Sequence, residues 1–241
     1  MRVLGVDTAT ATASVAIVES GNLLAEAISS EPGLIDSEQA RFGGYSQTLI
    51  PLIDRVLARA NLSLRQLAAI AVSIGPGSFT GLRIGVSTVK GLAFAGDISV
   101  VGVSTLRALA ARVHDWQGLI CPILDARKNE VYAALFDRQA ENLRRIGDDA
   151  VEPPEKTIEK VQARREGRPC LFIGDAVSVY GATIARALGQ DGVLNSGKNY
   201  PSVAAAVALL GAEKIAAAGA GAVESLAPHY LRSSAAELLK R

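Results

Sequence analysis

The 241 residues read as an α/β protein of two lobes, each a mixed sheet with helices on its faces. Three observations carry this. The order strand-strand-strand-helix-strand-helix can be followed twice along the chain. The first strand of each half ends on an aspartate, Asp7 and Asp125, before a polar turn. Apolar residues make up 49% of the chain but aromatics only 5%, with many alanines and glycines, so helices must approach one another through small side chains. Identity between the halves is negligible, and the duplication rests on element order.

In the first half, Arg2–Asp7 is a short apolar run and reads as a strand. Ala13–Val18, the turn Glu19-Ser20-Gly21-Asn22 and Leu23–Ile28 extend it into an antiparallel meander. Ser30–Gly44 is polar, holds Pro32, Gly33, Gly43 and Gly44, and reads as a loop. Ser46–Ala60 has Leu49, Leu52, Ile53, Val56, Leu57 and Ala60 at helical spacing, with Pro51 either delaying the helix or kinking it. Ala69–Ile74 is a buried strand, Gly75–Gly81 a glycine-rich loop, Leu82–Ala95 a helix and Ser99–Val103 a strand. Ser104 is placed to cap a helix over Thr105–Val113.

The order then restarts. Leu119–Asp125 is a strand, Ala126-Arg127-Lys128-Asn129 a turn and Val131–Phe136 a second strand. A charged helix around Pro154–Glu166, a strand at Leu171–Ile173, a helix at Val177–Leu188 and an alanine-rich helix over Ser202–Ala218 follow. This predicts a first lobe over 1–103, joined by the helix around 202–218, a second over 104–200, and a helix, strand and tail over 201–241. A cleft between lobes is the natural ligand site in such a chain.

A net charge of +1 argues against a domain that holds nucleic acid by phosphate neutralisation alone. Cys121 and Cys170 sit in apolar runs and read as core, not as a disulfide scaffold. His114 and His229 have no second ligand at metal spacing, so no metal site is expected. Cys121 with His114 does not make a nucleophile and base, because Cys121 is mid-strand. The opening run enters Asp7 directly, which reads as a strand and not as a leader. The apolar stretch Val203–Val223 is interrupted by Glu213 and Lys214, so no membrane span is expected. A cytoplasmic protein is the expectation.

Two segments have the makings of a ligand site. Asp7-Thr8-Ala9-Thr10 offers a carboxylate and two hydroxyls at a strand end, suited to hydrated magnesium or phosphate oxygens, though both residue types are common turn formers. Gly75-Pro76-Gly77-Ser78-Phe79-Thr80-Gly81 runs from a strand into a helix, where glycines allow close backbone approach and the helix start favours an anion. A tight strand-to-helix connection explains the same residues, and the loop matches neither phosphate-binding fingerprint. Asp125 repeats the strand-end carboxylate; it can face Asp7 across a cleft, pair with Arg127 or cap its turn. No complete catalytic set emerges.

Five blocks resemble the TsaB family, also called YeaZ, in the family's order and across nearly the whole chain. They are Arg2–Thr10, Gly75–Gly85, Gly102-Val103-Ser104-Thr105-Leu106, Asp125–Tyr132 and Tyr230-Leu231-Arg232. The resemblance implies an actin-like, sugar-kinase and Hsp70-type (ASKHA) fold. It implies a part in making threonylcarbamoyladenosine beside the anticodon of tRNAs. It also implies a paralogue of TsaD, whose Asn-His-Leu-Glu-x-His block binds metal through two histidines. Here those positions are Thr105 and Leu109, which cannot replace imidazole. The implied role is a non-catalytic scaffold and dimerisation subunit. Its implied partners are a TsaD-type catalytic subunit, a TsaE-type ATPase and a second copy of itself, with tRNA reached only through the complex. No cofactor is implied beyond weak ATP or ADP with magnesium at Asp7, Thr8, Gly75, Gly77, Ser78 and Asp125. In Arg41–Gln47 the histidine that relatives commonly carry near Tyr45 is missing.

The helix Leu82–Ala95 carries Gly85, Ser87, Gly91, Ala93 and Ala95; Ser87, Gly91 and Ala95 are spaced by four and share a face. The helix Ser46–Ala60, with Leu49, Leu52, Ile53 and Val56, looks more apolar than a core stripe requires. The resemblance suggests that these two helices form one surface serving both the self-dimer and TsaD. The competing readings are an independent ATPase or small-molecule kinase of the same fold, and a peptidase. The first needs a full nucleotide site, and the second lacks a nucleophile arrangement.

Overall fold

The structure, a computed structural model, describes residues 1–30, 44–195, 200–219 and 221–232. The expected loop over 30–44 lies outside these except for its two end positions, as do Arg41, Phe42 and Gly43 of the segment that departs from relatives. The chain divides into two compact units, one formed by Met1–Ala108 with Pro201–His229, the other by Leu109–Tyr200 with Tyr230–Arg241.

The first unit holds β1 (Arg2–Asp7), β2 (Ser14–Glu19), β3 (Asn22–Ile28), α1 (Gly44–Arg59), β4 (Ala69–Gly75), α2 (Phe79–Gly96), β5 (Ser99–Ser104) and the start of α3 (Thr105–Ala111). Among the described residues its strands form one five-stranded sheet in the order β3-β2-β1-β4-β5. β1 pairs antiparallel with β2 and parallel with β4, so a hairpin meander and a crossover unit share their first strand. The β2–β3 turn is Ser20-Gly21, both at positive φ, which matches the twist of a two-residue hairpin. Ser104 caps α3, its Oγ accepting the Arg107 N–H at 3.3 Å. α1 continues through Pro51, which is exposed.

The second unit holds β6 (Gly118–Arg127), β7 (Glu130–Gln139), β8 (Asn142–Glu152), α4 (Pro154–Arg164), β9 (Cys170–Ile173), α5 (Val177–Leu188) and β10 (Gly192–Asn195). Its sheet order, β10-β9-β6-β7-β8, repeats that of the first unit strand for strand. The pairing repeats too: β6 runs antiparallel to β7 and parallel to β9. The duplication expected from element order is thus present in topology, and the fold is of the ASKHA class. β8 and β10 received no range from the sequence. Arg144, Arg145, Asp148 and Asp149 break the alternation of β8, and β10 is four residues long.

The alanine-rich helix α6 (Val203–Ala218) belongs to the first unit and touches all five of its strands. Ser202 caps it, its Oγ accepting the Ala205 N–H at 3.2 Å, while the Ser202 N–H donates to Glu26 of β3 at 2.8 Å. Alternation along β1 divides the sheet between two layers. Leu4 and Val6 enter the core with Leu49, Leu52, Val86 and Val89 of α1 and α2. Gly5 turns to α6, where a Cβ would collide with the Ala204 carbonyl oxygen and lie 2.8 Å from the Ala208 nitrogen. Small side chains therefore do set this approach.

Candidate functional site

In the first unit the end of β1 and the glycine loop close on each other. Asp7 is fully buried; its Oδ1 accepts the Ala9 N–H at 3.3 Å and its Oδ2 the Thr10 hydroxyl at 2.5 Å. The Thr8 hydroxyl donates to the Gly81 carbonyl at 2.7 Å, and the Ser78 N–H to the Ala9 carbonyl at 2.8 Å. The Ser78 Oγ accepts the Gly81 N–H at 3.1 Å and caps α2. A Cβ at Gly77 would collide with the Ala9 carbonyl oxygen, and one at Gly81 with that of Thr8. Gly75, at φ +119°, lies against the His229 carbonyl. The chain's own backbone accounts for these glycines.

Burial pushes the Asp7 carboxyl above the usual carboxylate range, and neighbouring hydroxyls and the Ala9 N–H only partly offset it. Folded Asp7 therefore keeps its proton to higher pH than the unfolded chain does. Above the ordinary aspartate range of about 3.9, the native state binds more protons, and stability falls as pH rises towards the raised folded value. Asp7→Asn removes this dependence. Its melting temperature, compared with wild type from about pH 4 to about pH 8, is expected to gain on the wild type as pH rises. A variant that loses ground with rising pH would show Asp7 to be a charged, paired group.

The second unit repeats the arrangement with different residues. Asp125 ends the apolar part of β6; its N–H donates to Asp175 Oδ1 at 2.9 Å, and its Oδ1 accepts the Arg127 N–H at 2.8 Å. The Arg127 guanidinium lies 3.1 Å from its Oδ2, so the pairing with Arg127 left open by the sequence is made. Gly174 follows β9 at φ +127°, where a Cβ would collide with the Ile123 carbonyl oxygen, as Gly77 packs on Ala9. Burial first, and then the Asp125 charge, raise the Asp175 carboxyl. Asp175 was missed from sequence, although the rule that singled out Asp7 and Asp125, a carboxylate just past a strand, applies to it. Asp7 belongs to the first unit and Asp125 to the second.

The two helices expected to carry partners behave differently. Leu49, Leu52, Ile53 and Val56 are all at most 2% exposed and lie in the first unit's core. Placing them at an interface is corrected: α1 rests on β2, β3 and α2 at once, and that support requires its wide apolar face. Leu52→Ala is expected to cost about 2–5 kcal/mol in stability, seen as a lower unfolding midpoint. The variant that remains folded should associate like wild type. α2 buries Leu82, Gly85, Val86, Val89 and Ala93 and exposes Ser87, Gly91 and Ala95. Beside that stripe Phe94 is 86% exposed. The two interior glycines differ in cause. Gly85 lies against the Thr8 hydroxyl, which a Cβ would strike, whereas a Cβ at Gly91 meets none of the described residues within 4 Å.

The family model described as TsaD, tRNA N6-adenosine threonylcarbamoyltransferase, matches residues 27–240. The curated tRNA threonylcarbamoyladenosine biosynthesis protein TsaB of Bacillus subtilis is 32% identical over 237 residues, covering 98% of this chain and 96% of that protein. The chain belongs to the TsaB (YeaZ) family. The solved YeaZ from Pseudomonas aeruginosa superposes with a TM-score of 0.74 at 28% identity, covering 95% of this chain and 99% of that one. The ethanolamine utilization protein EutJ from Carboxydothermus hydrogenoformans, TM-score 0.52 at 15% identity over 86% of this chain and 89% of its own, shares the fold alone. Within this TsaB-family chain Thr105 and Leu109 are buried, and the Thr105 hydroxyl has no hydrogen-bond partner among the described residues. Among the described residues no group of three or more His, Cys, Asp or Glu stands together as a metal site. No described helix is long and apolar enough to cross a membrane.

Proposed function

We propose that this chain is a non-catalytic scaffold and dimerisation subunit of cytoplasmic threonylcarbamoyladenosine synthesis. It binds and activates a TsaD-type subunit for threonylcarbamoyl transfer to the adenosine beside the anticodon, with a TsaE-type ATPase acting on the pair. tRNA is met through the complex. Family membership supports the pathway. The observation that carries the scaffold role is Gly91. A glycine inside a helix costs about 1 kcal/mol relative to alanine, and among the described residues no contact requires this one. With Ser87, Ala95 and the exposed ring of Phe94 it makes a face on which a partner helix can come close. The same face serves the homodimer, so TsaD displaces the second copy.

Thr105 and Leu109 support the assignment of transfer chemistry to the partner, because neither supplies an imidazole. No cofactor is assigned. Asp7, Thr8 and Ser78 make hydrogen bonds inside the chain, and Gly75 and Gly77 lie against its own backbone, so ATP or ADP with magnesium is expected to bind weakly at most.

Reconstitution tests this reading. The purified chain, given tRNA, ATP, threonine, bicarbonate and the enzyme that forms the threonylcarbamoyl adenylate, should leave tRNA unmodified. Addition of TsaD and TsaE should restore modification, and omission of the chain should abolish it. Modification by the chain alone, or full activity without it, sinks the proposal.

A further inference from the structure

Strand β8 leaves its ladder for three residues. Ala133 pairs with Ala150 and Leu135 with Ile146, so Gly147, Asp148 and Asp149 bulge opposite Ala134. Gly147 supplies the positive φ, +83°, that the excursion takes, and Arg145 and Asp149 form an ion pair across it. Such bulges bend a strand away from its neighbours. A cavity of about 100 Å³ opens here, bounded by β6, β7, β8 and α4. Its floor is small and largely apolar: Cys121, Ala133 and Val161 are all buried, as is Thr157, whose hydroxyl is taken up by Glu152.

The rim carries two acids and two bases, Asp148 and Glu152 with Lys160 and Arg164. Glu152 is only 6% exposed; its Oε1 accepts the Thr157 hydroxyl at 3.1 Å and its Oε2 lies 2.6 Å from the Lys160 ammonium. An apolar hole under a rim of both signs matches a small zwitterion with a hydrocarbon side chain. The size sets a limit. An apolar cavity of about 150 Å³ holds the six carbons of benzene, so this one admits about four. That fits an isopropyl or isobutyl group better than a benzyl group.

We propose that this cavity binds a free aliphatic α-amino acid of valine or leucine size. The side chain enters the floor, the ammonium group meets Asp148 and Glu152, and the carboxylate meets Lys160 and Arg164. The site lies within the second unit and does not depend on the scaffold role.

The test is calorimetric titration of the full-length chain, alongside amide NMR spectra, with valine, leucine, threonine, phenylalanine, N-acetylvaline and valine amide. Valine or leucine should bind and shift the amides of Gly147, Ala150 and Lys160. Threonine should bind about tenfold or more weakly than valine, since its hydroxyl would enter an apolar floor unpaired. Phenylalanine and the two blocked valines should lose at least as much. Arg164→Ala should weaken valine about tenfold with an unchanged melting temperature, and Ala150→Leu should fill the hole and abolish binding. If Ala150→Leu does not fold, Arg164→Ala still decides. Binding of neither valine nor leucine overturns the proposal, as do blocked valines that bind as well as valine or an Arg164→Ala chain of undiminished affinity.

Discussion

Gly91→Arg should stay folded and lose both self-association and capture of TsaD. None of the described residues lies within 4 Å of where its Cβ would be, so an arginine has room beside them. At a close helix contact the same side chain becomes an unpaired charge in a desolvated centre, which costs about 3–5 kcal/mol. That is roughly a hundredfold or more in dissociation constant. Sedimentation velocity reads the dimer, affinity capture reads TsaD, and tRNA modification in the reconstituted system should fall with the second. Gly91→Ala separates helix propensity from contact. It should raise the melting temperature by about 2–4 °C, as about 1 kcal/mol does in a chain of this size, and still weaken association. Phe94→Ala removes an exposed aromatic anchor and should weaken association by about 1 kcal/mol or more without changing stability. A folded Gly91→Arg chain that keeps both partners moves the interface elsewhere and leaves Gly91 without a cause.

The largest effect on stability is expected at Gly5. Its Cα faces α6, and a side chain there strikes the Ala204 carbonyl oxygen and the Ala208 backbone nitrogen. Backbone cannot repack as a rotamer can, so Gly5→Val should cost about 3 kcal/mol or more. By circular dichroism the midpoint should fall by roughly 6–12 °C, or the protein should fail to accumulate. Removing the neighbouring methyl in a Gly5→Ala, Ala208→Gly double variant should not restore stability, because the principal collision is with a carbonyl oxygen. Full rescue would mean that α6 rests on β1 through side chains alone.

Much of the fold was legible because it is written in burial. β1, β2 and β4 are almost wholly buried, and their unbroken apolar runs show in the sequence. The strand-end aspartates mark equivalent points of two sheets that share one topology. β8 was not legible, since an edge strand with a charged three-residue bulge keeps no period of two. The candidate site was legible only in outline. The apolar face of α1 read as surplus because its three neighbours are distant in sequence. Gly85 and Gly91 lie about 120° apart round the helix, and the wheel alone does not say which face the chain covers; their surroundings separate a glycine that fits its own chain from one that does not. The anion-loop reading of Gly75–Gly81 depended on what would lie over the glycines, and what lies there includes Thr8, Ala9 and His229.

The position of α6 in the chain has a consequence for synthesis. Gly5 and its partner Ala204 are about 200 residues apart, which at about 5–20 residues per second is roughly 10–40 s of translation. Throughout that interval one face of the β1-β2-β4 sheet has no helix to cover it. The strands of the second unit, by contrast, are all made before Val203 emerges. The sheet that begins first is therefore covered last, and ribosome-bound chains in which the second unit's strands have emerged but Val203 has not should protect the later sheet from protease while leaving the earlier one open to cleavage and to chaperones.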